Sequence, residues 1–255
     1  RAGLRWRGAR EVAGDLIEAA HLRERGGLVA EWFDLHAARP RARKALGLCL
    51  SGQLRGLCER GHGVDQIHGR VLGRFPSFDV FAAVPAEDCA AARRLFGGPP
   101  VHALVRCIDA HAIPPREQRW LEEGPKTDLD VCDARACGYV WRDAAHCSRI
   151  MREHMGVHRV AYWRVARARI DLRWERFPDD PAAAFGDDAT VWSYGLPDGQ
   201  WIAMPDRFAI GPPDLMLGAY FGTYEWMLDP RSWPRYDASR VPVCLRRGHL
   251  EVVDS

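Results

Sequence analysis

Short apolar segments alternate with segments of helical periodicity along the middle of this chain, and this alternation constrains the fold more than any other feature. Strand-like runs occupy residues 45–50, 78–84, 101–108 and 160–166, and the clearest amphipathic helix, 134–155, precedes the last of them. Strands that alternate with helices favour a parallel sheet, because each parallel connection has to cross back over the sheet. We therefore predict an α/β fold with a mostly parallel central sheet and helices on both faces.

The two ends of the chain carry weaker patterns. Residues 11–25 have helical spacing and stop at Gly26-Gly27, so we expect residues 1–44 to form a helical extension before a domain over 45–255. Toward the carboxyl end, the pattern predicts a strand at 201–204, a helix at 212–227 and an edge strand at 241–245. Residues rich in Pro, Gly, Asp and Glu predict two long surface loops, at 112–130 and 178–190.

Composition limits the classes of partner. The 36 basic and 34 acidic residues are interspersed, which argues against nucleic acid as a partner. Lys44 and Lys126 are the only lysines and asparagine is absent, so arginine also fills ordinary surface positions in this chain. Since there is no run of 18 apolar residues, we predict no membrane span. The compartment stays open between the Golgi or ER lumen and the cytoplasm, because the sequence begins at Arg1 and a leader or anchor in front of it is compatible with the pattern.

The eight cysteines show no paired C-x-x-C spacing that would prepare a zinc site. We expect most of them to be buried thiols, with a Cys132–Cys137 bridge as the alternative in an oxidising lumen. His154 and His158 are four residues apart, but no H-E-x-x-H pattern is present and Gly156 is expected to end their helix. The acidic pairs Asp179-Asp180 and Asp187-Asp188 are interpreted as solvated loop charges.

Polar side chains follow the strand that begins at residue 160. Because side chains alternate along a strand, Arg167, Arg169 and Asp171 are expected on one side of its carboxyl end, where parallel sheets bind ligands. Guanidinium groups suit phosphate oxygens and a carboxylate suits a hard divalent cation. The alternative is an ordinary ion pair at the rim of the sheet.

The end of the first predicted strand offers a second set of candidate groups. Ser51-Gly52-Gln53 follows the apolar run directly, and Gly52 allows a ligand to approach the backbone closely. Gln53 and Arg55 supply hydrogen-bond donors for a base, a ribose or a diphosphate. The alternative is a glycine turn that only connects a strand to a helix.

Four motifs in this order resemble a family of A-type glycosyltransferases, over about residues 45–220. They are Ser51-Gly-Gln-Leu-Arg55 after the first strand, Asp79-Val-Phe81 in the second, Arg167-Ala-Arg-Ile-Asp171-Leu, and Asp206-Arg-Phe-Ala-Ile-Gly211. This chain has Ile170 where the family has proline before the aspartate, and Pro205 where the family has asparagine. The resemblance implies an A-type, nucleotide-diphospho-sugar transferase-like fold.

The resemblance also implies an activity and roles for particular residues. The activity is transfer of a sugar from a nucleotide-diphosphate donor to a hydroxyl on a glycan, lipid or protein acceptor. Asp171 would hold a divalent cation, Mn²⁺ or Mg²⁺, with metal-free catalysis as the alternative. Asp206 would orient the acceptor, deprotonate it or complete the metal site, an N-cap or loop role being its alternative. A non-catalytic binding module of the same fold, and a structural protein whose arginine-rich face binds anionic polymers, remain as alternatives.

Overall fold

The computed structural model describes the middle of the chain most fully. The described residues are 2–6, 40–54, 62–109, 113–123, 134–172, 174, 177–188, 191–194, 208–222, 224–225, 228–229 and 250–254. The predicted helix at 11–25 and the predicted strands at 201–204 and 241–245 lie outside these residues.

A mixed sheet of six strands, mostly parallel, forms the centre of the α/β fold, and two short strands extend it at one edge. In chain order the strands are β1 Ala2–Trp6, β2 Ala42–Ser51, β3 Phe78–Pro85, β4 Leu104–Ile108, β5 Val160–Arg169, β6 Val191–Tyr194, β7 Phe208–Gly211 and β8 Leu250–Asp254. Their order across the sheet is β4-β3-β2-β5-β7-β6-β1-β8. Strands β4, β3, β2 and β5 are parallel neighbours, as predicted, whereas β7 pairs antiparallel with both β5 and β6.

Helices pack against the sheet or against one another. The described helices are α1 His62–Gln66, α2 Cys89–Phe96, α3 Pro115–Glu123, α4 Ala134–His158, α5 Pro181–Phe185 and α6 Pro213–Leu215. Helix α1 continues into a π-helical turn, Ile67–Val71, and α6 into another, Met216–Tyr220. Among the described residues, no helix combines the length and the apolar character that a membrane crossing requires.

The period of two along the strands divides the core between the faces of the sheet. Cys49 and Phe81 pack with the apolar stripe of α4, which includes Ile150. Their neighbours Leu48 and Val80 point to the other side and join a cluster that includes side chains of α2 and α5. The helix predicted at 134–155 is thus confirmed as the one that covers the first face.

Two disulfides join separate elements, in contrast to the expectation that most cysteines are thiols. One links Cys49 of β2 to Cys147 of α4, with their Cα atoms 5.9 Å apart. The other links Cys89 of α2 to Cys107 of β4, across 5.5 Å. Both Cα distances lie in the usual range for a disulfide. The alternative bridge from Cys132 falls on a residue outside the described part of the chain.

Several local predictions need correction. The segment 112–130, predicted as a loop, contains helix α3, and the segment 178–190 contains α5, which Asp180 caps by accepting hydrogen bonds from the amides of Ala182 and Ala183. The helix predicted over 212–227 is interrupted: α6 and its π-helical turn end at Tyr220, residues 221–222 form a turn, and residues 224–225 are helical again. Strand β2 begins at Ala42 and residues 2–6 form a strand, whereas the division of the chain into 1–44 and 45–255 stays a prediction.

Candidate site at the carboxyl edge of the sheet

The centre of the sheet contains a topological switch point. From β2 the chain moves outward through β3 to β4, and it then returns to place β5 on the opposite side of β2. In open α/β sheets, ligands bind in the crevice outside the carboxyl ends of the two strands at such a point. The last residues of these strands, Ser51 and Arg169, are register partners, so two of the segments chosen from the sequence lie side by side there.

The turn after β2 is held in place by backbone hydrogen bonds. The amide of Gly52 donates to the carbonyl of Ala83 (3.3 Å), and the amide of Leu54 donates to Oδ2 of Asp88 (2.9 Å). Gly52 has a φ of 112°, a conformation that residues with a Cβ rarely adopt. A Cβ built at this position would meet no atom within 4 Å, so glycine is needed here for its backbone conformation, and the space beside its Cα is open.

Arg169 and Asp171 form a two-pronged ion pair at the end of β5. Nε of Arg169 donates to Oδ1 of Asp171 at 2.8 Å, and Nη2 donates to Oδ2 at 2.6 Å. The amide of Ile170 donates to the carbonyl of Ser51 (3.1 Å), which fixes this turn against the first one. Both charged side chains are partly exposed, at 28% for Arg169 and 15% for Asp171. The pair is therefore accessible from the carboxyl edge.

Arg167 lies beneath this edge. Its side chain is on the face covered by α4, is 1% exposed, and donates from Nε to Oγ of Ser51 at 3.2 Å. Nη1 of Arg167 is buried and has no hydrogen-bond partner among the described residues. Arg167 and Arg169 thus occupy different depths, and of the two arginines it is Arg169 that reaches the surface.

Asp143, which the sequence analysis did not select, is buried close to this site. It is 7% exposed and lies on α4 one turn before Cys147, whose disulfide partner Cys49 is the register neighbour of Arg167. Burial raises the pKa of Asp143 to about 7, against the opposing effect of the positive charges on Arg142 and Arg167. The sequence signal was a carboxylate within the apolar stripe of a helix, three residues after Val140 and four before Cys147.

A second buried polar group, also missed, lies between α3 and the amino-terminal half of α4. Glu117 is fully buried, accepts a 2.6 Å hydrogen bond from the hydroxyl of Tyr224 and lies 3.6 Å from the guanidinium of Arg142. Burial and the bond to Glu117 raise the pKa of the Tyr224 hydroxyl well above its usual range. Arg142 is also 4.8 Å from the centre of the Tyr139 ring. The bond between Tyr224 and Glu117 joins residues 107 positions apart in the chain, next to Arg142 on α4.

The described residues do not suit a resident divalent cation at Asp171. Both of its carboxylate oxygens accept hydrogen bonds from Arg169. Within the described part of the chain, no cluster of three or more His, Cys, Asp or Glu side chains is arranged to hold a metal. A cation at Asp171 would have to displace Arg169 and take most of its ligands from outside the described residues.

Three predicted site residues remain. Gln53 is exposed beside Gly52, whereas Arg55 and Asp206 lie outside the described residues. Phe208, two positions after Asp206, is the first residue of β7 and pairs with Ala168 of β5. The chain therefore enters β7 from the carboxyl edge of β5.

Two cavities lie at the opposite, amino edge of the central strands. A cavity of about 540 Å³ is lined by residues that include Arg43, Tyr162, Arg164 and Pro212, and a neighbouring one of about 320 Å³ includes Trp163 and Pro181. Neither contains any of the site residues predicted from the sequence. The predicted site residues that the structure describes lie at the carboxyl edge of the sheet and do not line these cavities.

Comparison of the chain with protein-family models, with curated proteins and with solved structures finds no match.

Proposed function

We propose that this protein binds a nucleotide-diphosphate sugar at the carboxyl edge of β2 and β5 and transfers the sugar to a hydroxyl of a glycan, lipid or protein acceptor, on an A-type glycosyltransferase-like fold. The observation that carries the proposal is the side-by-side position of the Ser51-Gly52 turn and the Arg169–Asp171 turn, joined by the bond from Ile170 to Ser51. These segments belong to two of the four motifs that resemble the glycosyltransferase family. A switch point is also the usual place for a nucleotide in an open α/β sheet.

Backbone and guanidinium groups would recognise the donor. The open space beside Gly52 permits close approach of a phosphate or ribose, and Gln53 is exposed next to it. Arg169 brings a positive charge to the surface of the same edge, where it would stabilise the diphosphate as it departs. Ser51 and Arg167 hold this edge from below.

The acceptor side of the reaction is assigned to Asp206, which would take the proton of the acceptor hydroxyl. Asp206 stands two residues before the strand that begins opposite Ala168. Because the described residues do not provide a cation site, no step of this scheme uses a metal. Mn²⁺ or Mg²⁺ at Asp171 stays a prediction for the titrations below.

A non-catalytic module with the same fold is the second candidate function. The ion pair between Arg169 and Asp171 favours it, since a carboxylate held by both of its oxygens has the geometry of a structural contact. Such a module would bind the nucleotide without turning it over.

The proposal is tested by titration calorimetry with a panel of nucleoside diphosphates and their sugars, with and without Mn²⁺, followed by measurement of released nucleoside diphosphate in the presence of acceptors. Binding accompanied by release supports the enzyme, and binding without release supports the module. If no nucleoside diphosphate binds under either condition, both are excluded. The variant Gly52→Val is the control, because a branched residue rarely adopts a φ of 112°, so the substitution should disrupt this turn and remove binding there.

A further inference from the structure

Among the described residues, Arg169 and Asp171 bring opposite charges to the surface of the candidate site and pair with each other. The pair of Arg142 with the buried Glu117, on the neighbouring helices, also has equal and opposite charges. The next positive charge beneath the edge is that of Arg167, whose Nε is bound to a neutral hydroxyl.

Asp143 is the carboxylate in position to compensate Arg167. Helix α4 runs with its carboxyl end toward the amino edge of β5, since Val160 follows His158 almost directly, and residues before Cys147 therefore lie over the carboxyl edge. Cys147 is joined to Cys49, and one turn earlier along the helix brings Asp143 over the level of Ser51. No ion pair within 4 Å joins Asp143 to a described cation, although it is 7% exposed.

Four charged groups act on Asp143 from the elements around it. The cations are Arg142, on its own helix, and Arg167, on β5, and the carboxylates are Glu117, on α3, and Glu87, after β3. Their opposing effects leave burial as the dominant influence, and Asp143 holds its proton to about neutral pH. When Asp143 is protonated, Arg167 contributes a full positive charge beneath the edge, and when it is ionised that charge is compensated.

We propose that Asp143 and Arg167 together set the charge beneath the candidate site, so that binding of a diphosphate at this edge is coupled to protonation of Asp143. This inference rests on the location of the proposed donor site. A polyanion at the edge favours the protonated form of Asp143, and by reciprocity protonation favours the polyanion. In this proposal Asp143 acts by compensating the charge of Arg167 and does not itself contact the ligand.

The test follows the carboxyl carbon of Asp143 by NMR in protein labelled with ¹³C at aspartate, through a pH titration with and without inorganic pyrophosphate. The Asp143 carboxyl signal is assigned by through-bond correlation to the backbone amide of Asp143 in the wild-type protein, so the assignment needs no variant. We expect a midpoint near 7 in the free protein. We expect pyrophosphate to raise it by about one unit, the size of the effect of one charge about 12 Å away at an effective dielectric near 20. A free midpoint near that of an ordinary aspartate, about 4, or a midpoint that pyrophosphate leaves unmoved, overturns the proposal.

The affinity for pyrophosphate gives a second measurement. If pyrophosphate raises the Asp143 midpoint by one unit, pyrophosphate binds about tenfold more weakly at a pH above the free and bound midpoints than at a pH below both. Asp143→Asn is neutral at every pH, so the variant should keep the low-pH affinity for pyrophosphate up to about pH 8. The ratio of the variant's affinity to the wild-type affinity at each pH cancels the effect of the titration of pyrophosphate itself. Equal pH profiles in the two proteins contradict the coupling. Neither readout uses a nucleotide or sugar transfer, so failure of the proposed enzyme activity leaves both interpretable.

Discussion

The hydroxyl of Tyr162 on β5 donates a 2.7 Å hydrogen bond to Oδ2 of Asp79 on β3, across the intervening strand β2. Lys44 of β2 pairs with Oδ1 of the same carboxylate, and Nε2 of His154 on α4 lies 3.6 Å from Oδ2. Asp79 is the aspartate of the Asp-Val-Phe motif. At the amino edge of the sheet it joins three strands and a helix, which is a structural role, at the opposite end of the strands from the candidate site.

This arrangement predicts that Gly47→Ala destabilises the fold. A Cβ at residue 47 would lie 2.9 Å from Cδ2 of Tyr162, whose ring is held by Asp79 and is not free to move away. We expect a loss of about 1 to 3 kcal/mol in the free energy of unfolding, the usual cost of overpacking, measured by urea denaturation. Gly69→Ala is the matched control, because a Cβ there meets no atom within 4 Å. Equal stabilities for the two variants would show that the ring is not fixed.

The buried Asp143 predicts a pH dependence of stability. Burial raises its pKa in the folded protein to about 7, above the ordinary value of 3.8, so the folded state keeps a proton that the unfolded chain releases. The contribution of Asp143 to the free energy of unfolding is therefore greatest below about pH 4, and it is lost as the pH rises through about 7. Asp143→Asn removes this contribution.

The measurement is the free energy of unfolding of wild type and Asp143→Asn at pH 5 and pH 8. We expect the variant to gain about 2 to 3 kcal/mol relative to wild type between these two values, from 1.36 kcal/mol per unit of pKa shift. If the two proteins change in parallel with pH, Asp143 titrates in its ordinary range.

Asp171→Asn distinguishes an ion pair from a cation site. The variant keeps the shape of the side chain but removes the charge that Arg169 binds. For a partly exposed pair we expect a loss of about 0 to 1 kcal/mol of stability, with nucleoside diphosphate binding in the absence of metal retained or tightened. Thermal unfolding and calorimetry on both proteins check this. Loss of a Mn²⁺-dependent component of binding in the variant would instead assign the cation to Asp171.

Local pattern predicted the parallel part of the sheet well. The apolar runs of β2, β3 and β5 are long enough for hydrophobic burial alone to specify them. Strand β7 was missed because its four residues, Phe208–Gly211, are too few to show a period, and they form a strand by pairing with β5 and β6. Helix α3 was missed because it contains many charged residues and begins at the second of two prolines, yet its Glu117 is buried by contact with the distant Tyr224.

The candidate site was predictable in part for the same reason. The meeting of Ser51 with Arg169 follows from parallel pairing, which places the carboxyl ends of neighbouring strands together. The different depths of Arg167 and Arg169 follow from the cover provided by α4, which alternation along a strand does not specify. The protonation of Asp143 depends on groups from three other segments of the chain, and no local window contains them.

The central claim is that the carboxyl edge of β2 and β5 binds the diphosphate of a nucleotide, and the most direct test compares two arginine variants by calorimetry. Arg169→Gln removes a positive charge at this edge. Arg74→Gln removes the same charge from a surface pair with Asp179, before the first residue of β3 and so at the opposite, amino edge of the sheet. We expect Arg169→Gln to weaken binding of the nucleoside diphosphate by about tenfold or more, in line with loss of a charge-assisted hydrogen bond of 1.5 to 3 kcal/mol or so, and Arg74→Gln to leave it unchanged. Equal affinities for wild type and both variants would contradict the account.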